Sequence, residues 1–315
     1  MTSPPLLAEV DSADDTVSVR AAVDAHVEGL SLSQAERDDL RADLTGLFDL
    51  DYGADVDDIA ANWADADDEH GGGDVTFPGG YSAVFAPLLS DLRVHLNSCV
   101  TSIRATGSGV VVTASTGVYE ADAVILTVPP TVLASGAIEF DGVADDLLQA
   151  ASRVPLGCLS KTAMLFDTPF WDPAPDWHHL KGADPLRWVT WFRPRHDAGH
   201  VLVGFNGGDP AREYEAADPA DVQADAMRAL RDMYGSGVPE PRAIQTTAWS
   251  LDPLVRGSYS YVAVGSNLHD RAALRRPLES RIYIAGEATA TEHTGTVHGA
   301  WNSGLRAATE ALRRD

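Results

Sequence analysis

The spacing of apolar and polar residues predicts a helical, acidic beginning for this chain. Over residues 14–70 the apolar positions recur at helical spacing, and Ser33 followed by Glu36 has the spacing of a capping box. The pair Gly79-Gly80 stands directly before the run Y-S-A-V-F-A-P-L-L, which predicts that another helix opens there.

From residue 93 the pattern changes to short β-rich runs separated by G-S-G and S-T-G turns. The run A-V-I-L-T-V is apolar throughout, as is typical of a strand buried on both faces. Runs that predict strands before it are R-V-H-L, V-T-S-I-R and V-V-V-T-A. Later in the chain the pattern predicts helices at about 143–152 and 219–234 and strands at about 159–166, 187–193, 200–205 and 243–249.

The closing segment combines a strand, an acid and a helix start. Residues 281–304 read R-I-Y-I-A-G-E-A-T-A-T-E-H-T-G-T-V-H-G-A-W-N-S-G: an apolar strand runs into Gly286-Glu287, and a helix is predicted to open near Thr296. Such a unit can direct backbone N–H groups and the positive helix end at an anion or an electron-rich ring. Spacing alone is equally compatible with an ordinary strand-loop-helix unit that closes a sheet.

Composition restricts the class of protein. With 315 residues, 44% hydrophobic and 22% charged, the chain can form one large domain or two interleaved ones. The net charge of −24 argues against binding of DNA or RNA. The two cysteines are not spaced as a metal site, so no metal is expected. No run approaches the roughly 18 apolar residues of a membrane span, and no leader is recognisable, so a soluble cytoplasmic protein is expected.

Several stretches together resemble one family. The pattern G-E-A-T-(x)6-T-V-H-G-A-(x)2-S-G-L-R-A-A resembles the C-terminal FAD-binding signature of the flavin-dependent amine oxidases, which include monoamine oxidases, polyamine oxidases and flavin-type histone demethylases. Segments similar to those of the family also occur in the family's order: F-P-G-G-Y-S-A-V-F-A-P-L, L-N-S-C-V-T-S-I, A-D-A-V-I-L-T-V-P-P, L-S-K-T-A-M-L-F-D-T-P-F-W and W-S-L-D-P-L-V-R-G-S-Y-S-Y. The resemblance spans about residues 50–312.

The resemblance implies an FAD site. Gly286 and Glu287 match the pair that faces the ribityl and pyrophosphate part of FAD, and Thr296 and Val297 match the positions that meet the flavin pyrimidine ring. Ser258 stands where covalently flavinylated members have cysteine, so noncovalent FAD is expected. The remaining positions that match cofactor-contacting segments are Gly79, Gly80, Tyr81, Val100, Thr127 and Pro129.

Three further residues match catalytic positions of the family. Lys161 matches the lysine that holds a water against the flavin, although its place in an alternating strand also suits a solvated side chain. Tyr259 matches the aromatic residue that flanks the substrate amine, and Trp249 a wall of the same cavity. Without the resemblance, both aromatic residues would be assigned to the core.

The implied fold is mixed α/β, with a Rossmann-like FAD/NAD(P)-binding domain interleaved with a mixed-sheet substrate domain. Substrate-domain pieces are expected at 1–78 and 131–254, and FAD-domain pieces at 79–130 and 255–315. The family's strand and G-x-G-x-x-G turn are not found, and the glycines at 71–73 follow an acidic stretch rather than a strand. The FAD-binding domain is therefore expected to be incomplete at its N-terminus.

The predicted activity is oxidation of a small-molecule amine to an imine by hydride transfer to FAD, with reoxidation by O2 to give peroxide. A competing hypothesis is a catalytically silent fragment or subunit that needs a partner chain carrying the G-x-G-x-x-G unit, since an incomplete sheet exposes an apolar edge. A third is another flavoprotein, such as a carotenoid desaturase or porphyrinogen oxidase. The segments around Lys161 and Tyr259 argue against this third hypothesis.

Overall fold

The computed structural model describes residues 14–63, 75–77, 79–140, 145–180, 186–195 and 199–313. Its helices are α1 (Val19–Gly29), α2 (Gln34–Tyr52), α3 (Gly80–Leu89), α4 (Pro130–Ala134), α5 (Asp145–Ser152), α6 (Gly208–Ala216), α7 (Pro219–Tyr234), α8 (Leu268–Leu274) and α9 (Val297–Leu312), with 3-10 turns at Ala61–Trp63 and Glu287–Thr289. The glycine triplet at 71–73 lies outside the described residues.

The strands belong to three sheets. They are β1 (Val100–Ala105), β2 (Val110–Ala114), β3 (Gly117–Ala121), β4 (Val124–Leu126), β5 (Glu139–Phe140), β6 (Leu159–Phe166), β7 (Trp177–His179), β8 (Thr190–Phe192), β9 (His200–Gly207), β10 (Ala243–Thr246) and β11 (Ile282–Ile284). The sheet orders are β3-β2-β1-β5, β10-β6-β9-β8-β7 and β11-β4. Helices and strands alternate along the chain, which confirms the predicted mixed α/β class.

The predicted capping box forms at the start of α2. The Ser33 hydroxyl accepts from the Glu36 N–H, and the Glu36 carboxylate accepts from the Ser33 N–H at 2.8 Å. These two bonds satisfy orphan donors at the helix start. The helix then packs on α1 through a shared core that includes Val23, Val27 and Phe48.

The five-stranded sheet is antiparallel, and its strand β6 alternates strictly between the two faces. Thr162, Met164 and Phe166 are buried on one face, where Met164 and Phe166 join a core with side chains of α7. Lys161 lies on the opposite face, directly across from Phe205 of β9. The period-2 geometry of a strand therefore directs the Lys161 side chain away from the core.

The predicted strand R-V-H-L does not form. Residues 93–96 are irregular, and Val94 and Leu96 are exposed. A strand needs a partner for its backbone N–H and C=O groups, and no ladder of the described residues includes this run. V-T-S-I-R and V-V-V-T-A do pair, as β1 and β2.

The parallel pair β4 and β11 ends beside the candidate site. Val124 pairs with Ile282 and Leu126 with Ile284, and the Ala285 N–H donates to the Leu126 carbonyl at 2.8 Å. β11 is buried throughout, whereas Ile125 of β4 is exposed. The prediction that β4, in the run A-V-I-L-T-V, is buried on both faces is therefore wrong. Among the described residues β11 is the only sheet neighbour of β4.

No helix among the described residues has the length and apolar character that crossing a lipid bilayer requires.

Candidate active site

Lys161 lines a cavity of about 320 Å3 together with the two aromatic residues that the sequence singled out. The lining consists of Leu159, Lys161, Trp249, Val255, Gly257, Ser258 and Tyr259. The Lys161 Nζ atom lies 5.6 Å from the centre of the Phe205 ring, over its face. Although the side chain reaches solvent through the open side of the cavity, the surrounding protein atoms partly desolvate the ammonium and lower the pKa of Lys161.

Tyr259 is anchored at its hydroxyl. The single phenol hydrogen is shared in a bifurcated bond between the Asp51 carbonyl at 2.9 Å and the Leu50 carbonyl at 3.2 Å, both at the end of α2. Burial raises the pKa of Tyr259 far above its ordinary value, so the phenol is neutral across the physiological range. Both bonds satisfy carbonyl groups at a helix end, which fixes the ring in the cavity wall.

A second cavity, of about 170 Å3, adjoins the first at Ser258, which lines both. It contains four residues that match cofactor positions, namely Thr127, Pro129, Gly286 and Glu287. Two parallel strands bring these residues together, since residues 127–129 follow β4 and residues 286–287 follow β11. The carboxyl ends of parallel strands are a common location for ligands in α/β folds.

Gly286 has a backbone that favours glycine. Its φ is +137°, and an added Cβ would meet no atom within 4 Å, so open space begins directly at the backbone. The Gly286 N–H donates to the Ser303 hydroxyl of α9 at 2.8 Å. A ligand can therefore approach the main chain closely here.

Glu287 is turned towards the protein and joins two loops. Its carboxylate accepts from the Ser260 N–H at 3.0 Å, from the Ser260 hydroxyl at 2.7 Å and from the Gly295 N–H at 2.8 Å. The buried Arg271 lies 3.9 Å from the same carboxylate and donates to the Ser260 hydroxyl. Glu287 thus holds the loop of Tyr259 against the loop that precedes α9.

The start of α9 lies next to Tyr259. The Thr296 side chain caps the helix by accepting from the Gly299 N–H at 3.0 Å, as the sequence predicted for a helix opening here. A Cβ on Gly295 would lie 3.7 Å from the Tyr259 ring. Val297, the first helical residue, is half exposed. The positive end of the helix is therefore available to a ligand beside the first cavity.

The remaining matched positions lie elsewhere. Gly79 and Gly80 begin α3, which has no buried residue, and the Tyr81 side chain is exposed. Val100 packs against the core beneath β4 and β11. None of these four residues lines either cavity, and their assignment to the cofactor stays a prediction.

Sequence reasoning missed the residues that support the site from behind, because no local signal marks them. Arg271 lies in a short helix and is only 1% exposed. Thr247 and Glu215 form hydrogen bonds to the strand of Lys161 and to the loop of Trp249. All three act across long sequence separations, which periodicity cannot reveal.

The sequence is similar to those of histone demethylase homologs and a polyamine oxidase. It is 35% identical over 262 residues to lysine-specific histone demethylase 1 homolog 2 of Arabidopsis thaliana, covering 80% of this chain and 35% of that protein. It is 35% identical over 270 residues to polyamine oxidase 4 of Oryza sativa subsp. japonica, covering 84% of this chain and 54% of that protein. The chain thus spans about a third to a half of these relatives.

Solved structures share the fold. Wild-type putrescine oxidase bound to putrescine superposes with a TM-score of 0.79 at 23% identity, over 98% of this chain and 73% of that one. Cyclohexylamine oxidase from Brevibacterium oxydans IH-35A gives 0.70 at 18% identity, over 98% and 73%. The predicted Rossmann-like fold class is confirmed.

A family model described as flavin containing amine oxidoreductase matches residues 20–312. The match agrees with the resemblance in the closing strand, loop and helix and favours it over the other flavoprotein groups. The chain belongs to the flavin-containing amine oxidoreductase family.

Proposed function

We propose that this chain provides the substrate side and part of the flavin side of an FAD-dependent amine oxidase acting on a small-molecule amine. The observation that carries the proposal is the junction of the two cavities at Ser258. One cavity holds Lys161 and the aromatic residues, and the other holds the ends of β4 and β11. A ligand in the second cavity would therefore lie next to a substrate in the first.

The residues present suit an elongated cofactor with a negative portion. Gly286 leaves its main chain accessible, and the half-exposed start of α9 offers a positive helix end. Thr127, Pro129 and the Gly286 backbone would hold the cofactor in the second cavity, and Thr296 and Val297 would meet it at the helix start. When bound, the flavin would serve as the acceptor of a hydride from the carbon next to the substrate nitrogen.

Lys161 would act on charge and on water. Its ammonium repels a protonated amine, so the cavity selects the neutral amine, which is the form that can lose a hydride. Its three donors can hold a water molecule on the cavity side of β6, and its lowered pKa makes the ammonium a stronger hydrogen-bond donor to that water. In this proposal the bound water assists the reaction with O2.

Trp249 and Tyr259 would shape the cavity and restrict water. Both rings line the first cavity with Leu159 and Val255. The neutral Tyr259 phenol, bound to the end of α2, adds no charge that would hold a cationic amine. An apolar wall of this kind favours the uncharged substrate and strengthens interactions with the Lys161 ammonium.

Noncovalent binding of FAD is also part of the proposal. The Ser258 hydroxyl accepts from the Leu159 N–H at 3.1 Å and so braces β6. Cys158 is buried, and this burial raises the pKa of its thiol to about 11, which makes it a poor nucleophile. Cys99 is exposed and lines neither cavity.

The test is the visible spectrum of the purified protein, titrated anaerobically with putrescine and with cyclohexylamine. A yellow protein that bleaches on addition of an amine supports the proposal. If the flavin-loaded protein is bleached by neither amine, the assignment of the first cavity to amines is contradicted. Riboflavin-supplemented expression and added FAD serve as controls for incomplete loading.

A second candidate is a chain that works only with another polypeptide, and one observation favours it. Val297, Trp301 and Leu305 form an exposed apolar stripe along α9, and Ile125 is exposed on β4. Such surfaces commonly mark protein contacts. If this candidate holds, the chain alone stays colourless with added FAD and gains flavin only when a polypeptide carrying a G-x-G-x-x-G unit is present.

A further inference from the structure

The strand β10 leaves the sheet at the level of Lys161, and a side chain continues its hydrogen bonding. The Thr247 N–H donates to the Lys161 carbonyl at 3.0 Å, as in a regular ladder. The return bond is different, because the Lys161 N–H donates to the Thr247 hydroxyl at 3.0 Å rather than to a backbone carbonyl. Because the Thr247 hydroxyl replaces a backbone carbonyl as acceptor, the chain can turn away after Thr247 and place Trp249 in the cavity wall.

Glu215 of α6 holds both parts of this turn. Its carboxylate accepts from the Thr247 hydroxyl at 3.1 Å and from the Ser250 N–H at 2.8 Å. Glu215 lies in the last turn of α6 and is only 7% exposed. One buried carboxylate therefore fixes the residue that bonds to the Lys161 backbone and the residue that follows Trp249.

The direction of these hydrogen bonds suits a carboxylate. The Thr247 hydroxyl already accepts from the Lys161 N–H, so its own hydrogen must be donated, and Glu215 accepts it. Ser250 also presents a donor. The Glu215 carboxylate accepts at both oxygens, whereas glutamine would turn an NH2 group towards one of the two donors. Among the described residues no Lys, Arg or His nitrogen lies within 4.0 Å of the Glu215 carboxylate, so hydrogen bonds such as those from Thr247 and Ser250 must offset the cost of burying this polar group.

We propose that Glu215 and Thr247 are positioning residues of the amine site: together they fix the Lys161 strand and the Trp249 loop so that the ammonium and the indole face the same cavity. This proposal rests on the proposed function for its catalytic meaning. The positioning itself is a property of the folded chain and can be measured without flavin.

The chain allows a sharp test because it contains only two lysines, Lys161 and Lys181. Protein labelled with 13C at the lysine ε-carbon gives two side-chain signals, which the variant Lys181→Arg assigns. Titrating both signals by NMR yields the pKa of Lys161 directly, with Lys181 as an internal control. The variants are Thr247→Val, which removes only the hydroxyl, Thr247→Ser, which keeps it, and Glu215→Gln.

In Thr247→Val and Glu215→Gln the turn loosens, water enters beside Lys161, and its pKa rises towards the ordinary lysine value by about half a pH unit or more. Thr247→Ser keeps the pKa of wild type, and the Lys181 signal is unchanged in every variant. The proposal is overturned if folded Thr247→Val titrates Lys161 as wild type does, or if both lysine signals shift together. Should Glu215→Gln fail to fold, the Thr247 pair still decides the matter.

The holoenzyme provides a second measurement. Thr247→Val lowers kcat for amine oxidation by about tenfold, and Thr247→Ser restores it to within about twofold of wild type. An NMR shift in a protein that oxidises no amine would retain the positioning and refute the proposed function. Amine oxidation by a Thr247→Val protein with wild-type kcat would refute the positioning and retain the function.

Discussion

The Tyr259 hydroxyl donates to the Asp51 carbonyl at 2.9 Å, across 208 residues of sequence. This bond joins the end of α2 to the loop that carries the aromatic wall of the candidate amine cavity. The Glu287 carboxylate accepts from the N–H groups of the next residue, Ser260, and of Gly295. The cavity is therefore built from three segments that are distant in sequence and are joined by hydrogen bonds. The contribution of each connection can be tested by substitution.

Removing the Tyr259 hydroxyl is expected to loosen this connection while leaving the ring in place. Tyr259→Phe loses the bonds to the Leu50 and Asp51 carbonyls and should lower the free energy of unfolding by about 1 to 2 kcal/mol. Urea unfolding measures the change. Tyr283→Phe is a matched control, because its hydroxyl donates only locally, to the Ser280 carbonyl. A Tyr259→Phe protein as stable as wild type would contradict the anchoring role.

Glu287→Ala is expected to destabilise the fold more strongly. The variant removes the carboxylate that lies 3.9 Å from the buried Arg271 guanidinium and that accepts from the Ser260 and Gly295 N–H groups. Breaking a buried charge network of this kind costs about 3 kcal/mol or more. The measurement is the urea midpoint at constant m-value. Glu213→Ala, at an exposed ion pair with Arg187, should change the free energy of unfolding by less than about 1 kcal/mol. Equal losses of stability in Glu287→Ala and Glu213→Ala would contradict the structural role of Glu287.

The buried Asp49 predicts a pH dependence of stability. Desolvation, with the nearby charge of Asp55, raises the pKa of Asp49 from 3.8 to about 7. Between about pH 4 and about pH 7 the Asp49 carboxyl is therefore protonated in the folded protein and ionised in the unfolded chain. The free energy of unfolding consequently falls as the pH rises through this window.

Asp49→Asn removes this effect and keeps the acceptor for the Val56 N–H. The variant should exceed wild type in stability by a few kcal/mol at pH 8 and match it near pH 4, as measured by thermal or urea unfolding. The exposed Asp38→Asn serves as a control. A constant difference between Asp49→Asn and wild type at all pH values would show that the carboxyl does not titrate as described.

Local rules predicted the parts of the fold that local interactions determine. The Ser33 and Glu36 capping box, the alternation around Lys161 and the helix start near Thr296 depend on residues near in sequence, and all three are observed. The run R-V-H-L forms no strand, because a strand depends on a hydrogen-bonding partner that local sequence does not supply. Ile125 is exposed although its run is apolar, because burial depends on neighbouring elements.

The site divides in the same way. Resemblance to the family pointed to Lys161, Trp249 and Tyr259, and the structure gathers them in one cavity. Glu215, Thr247 and Arg271 were missed because their function depends on hydrogen bonds to residues 11 or more positions away in the sequence, and no motif records such contacts. For Glu287 the resemblance implied a cofactor contact, which stays a prediction; its carboxylate oxygens accept from Ser260 and Gly295, and the residue also lines the second cavity.

The central claim, that Lys161 serves the chemistry of an amine oxidase, is tested most directly by the two half-reactions of the flavin-loaded Lys161→Met protein in a stopped-flow instrument. The colour should return with O2 at least about tenfold more slowly than in wild type, while anaerobic bleaching by the amine changes by less than about threefold. Lys181→Met should leave both rates unchanged. Equal slowing of the two half-reactions in Lys161→Met, or no slowing of either, would contradict the account.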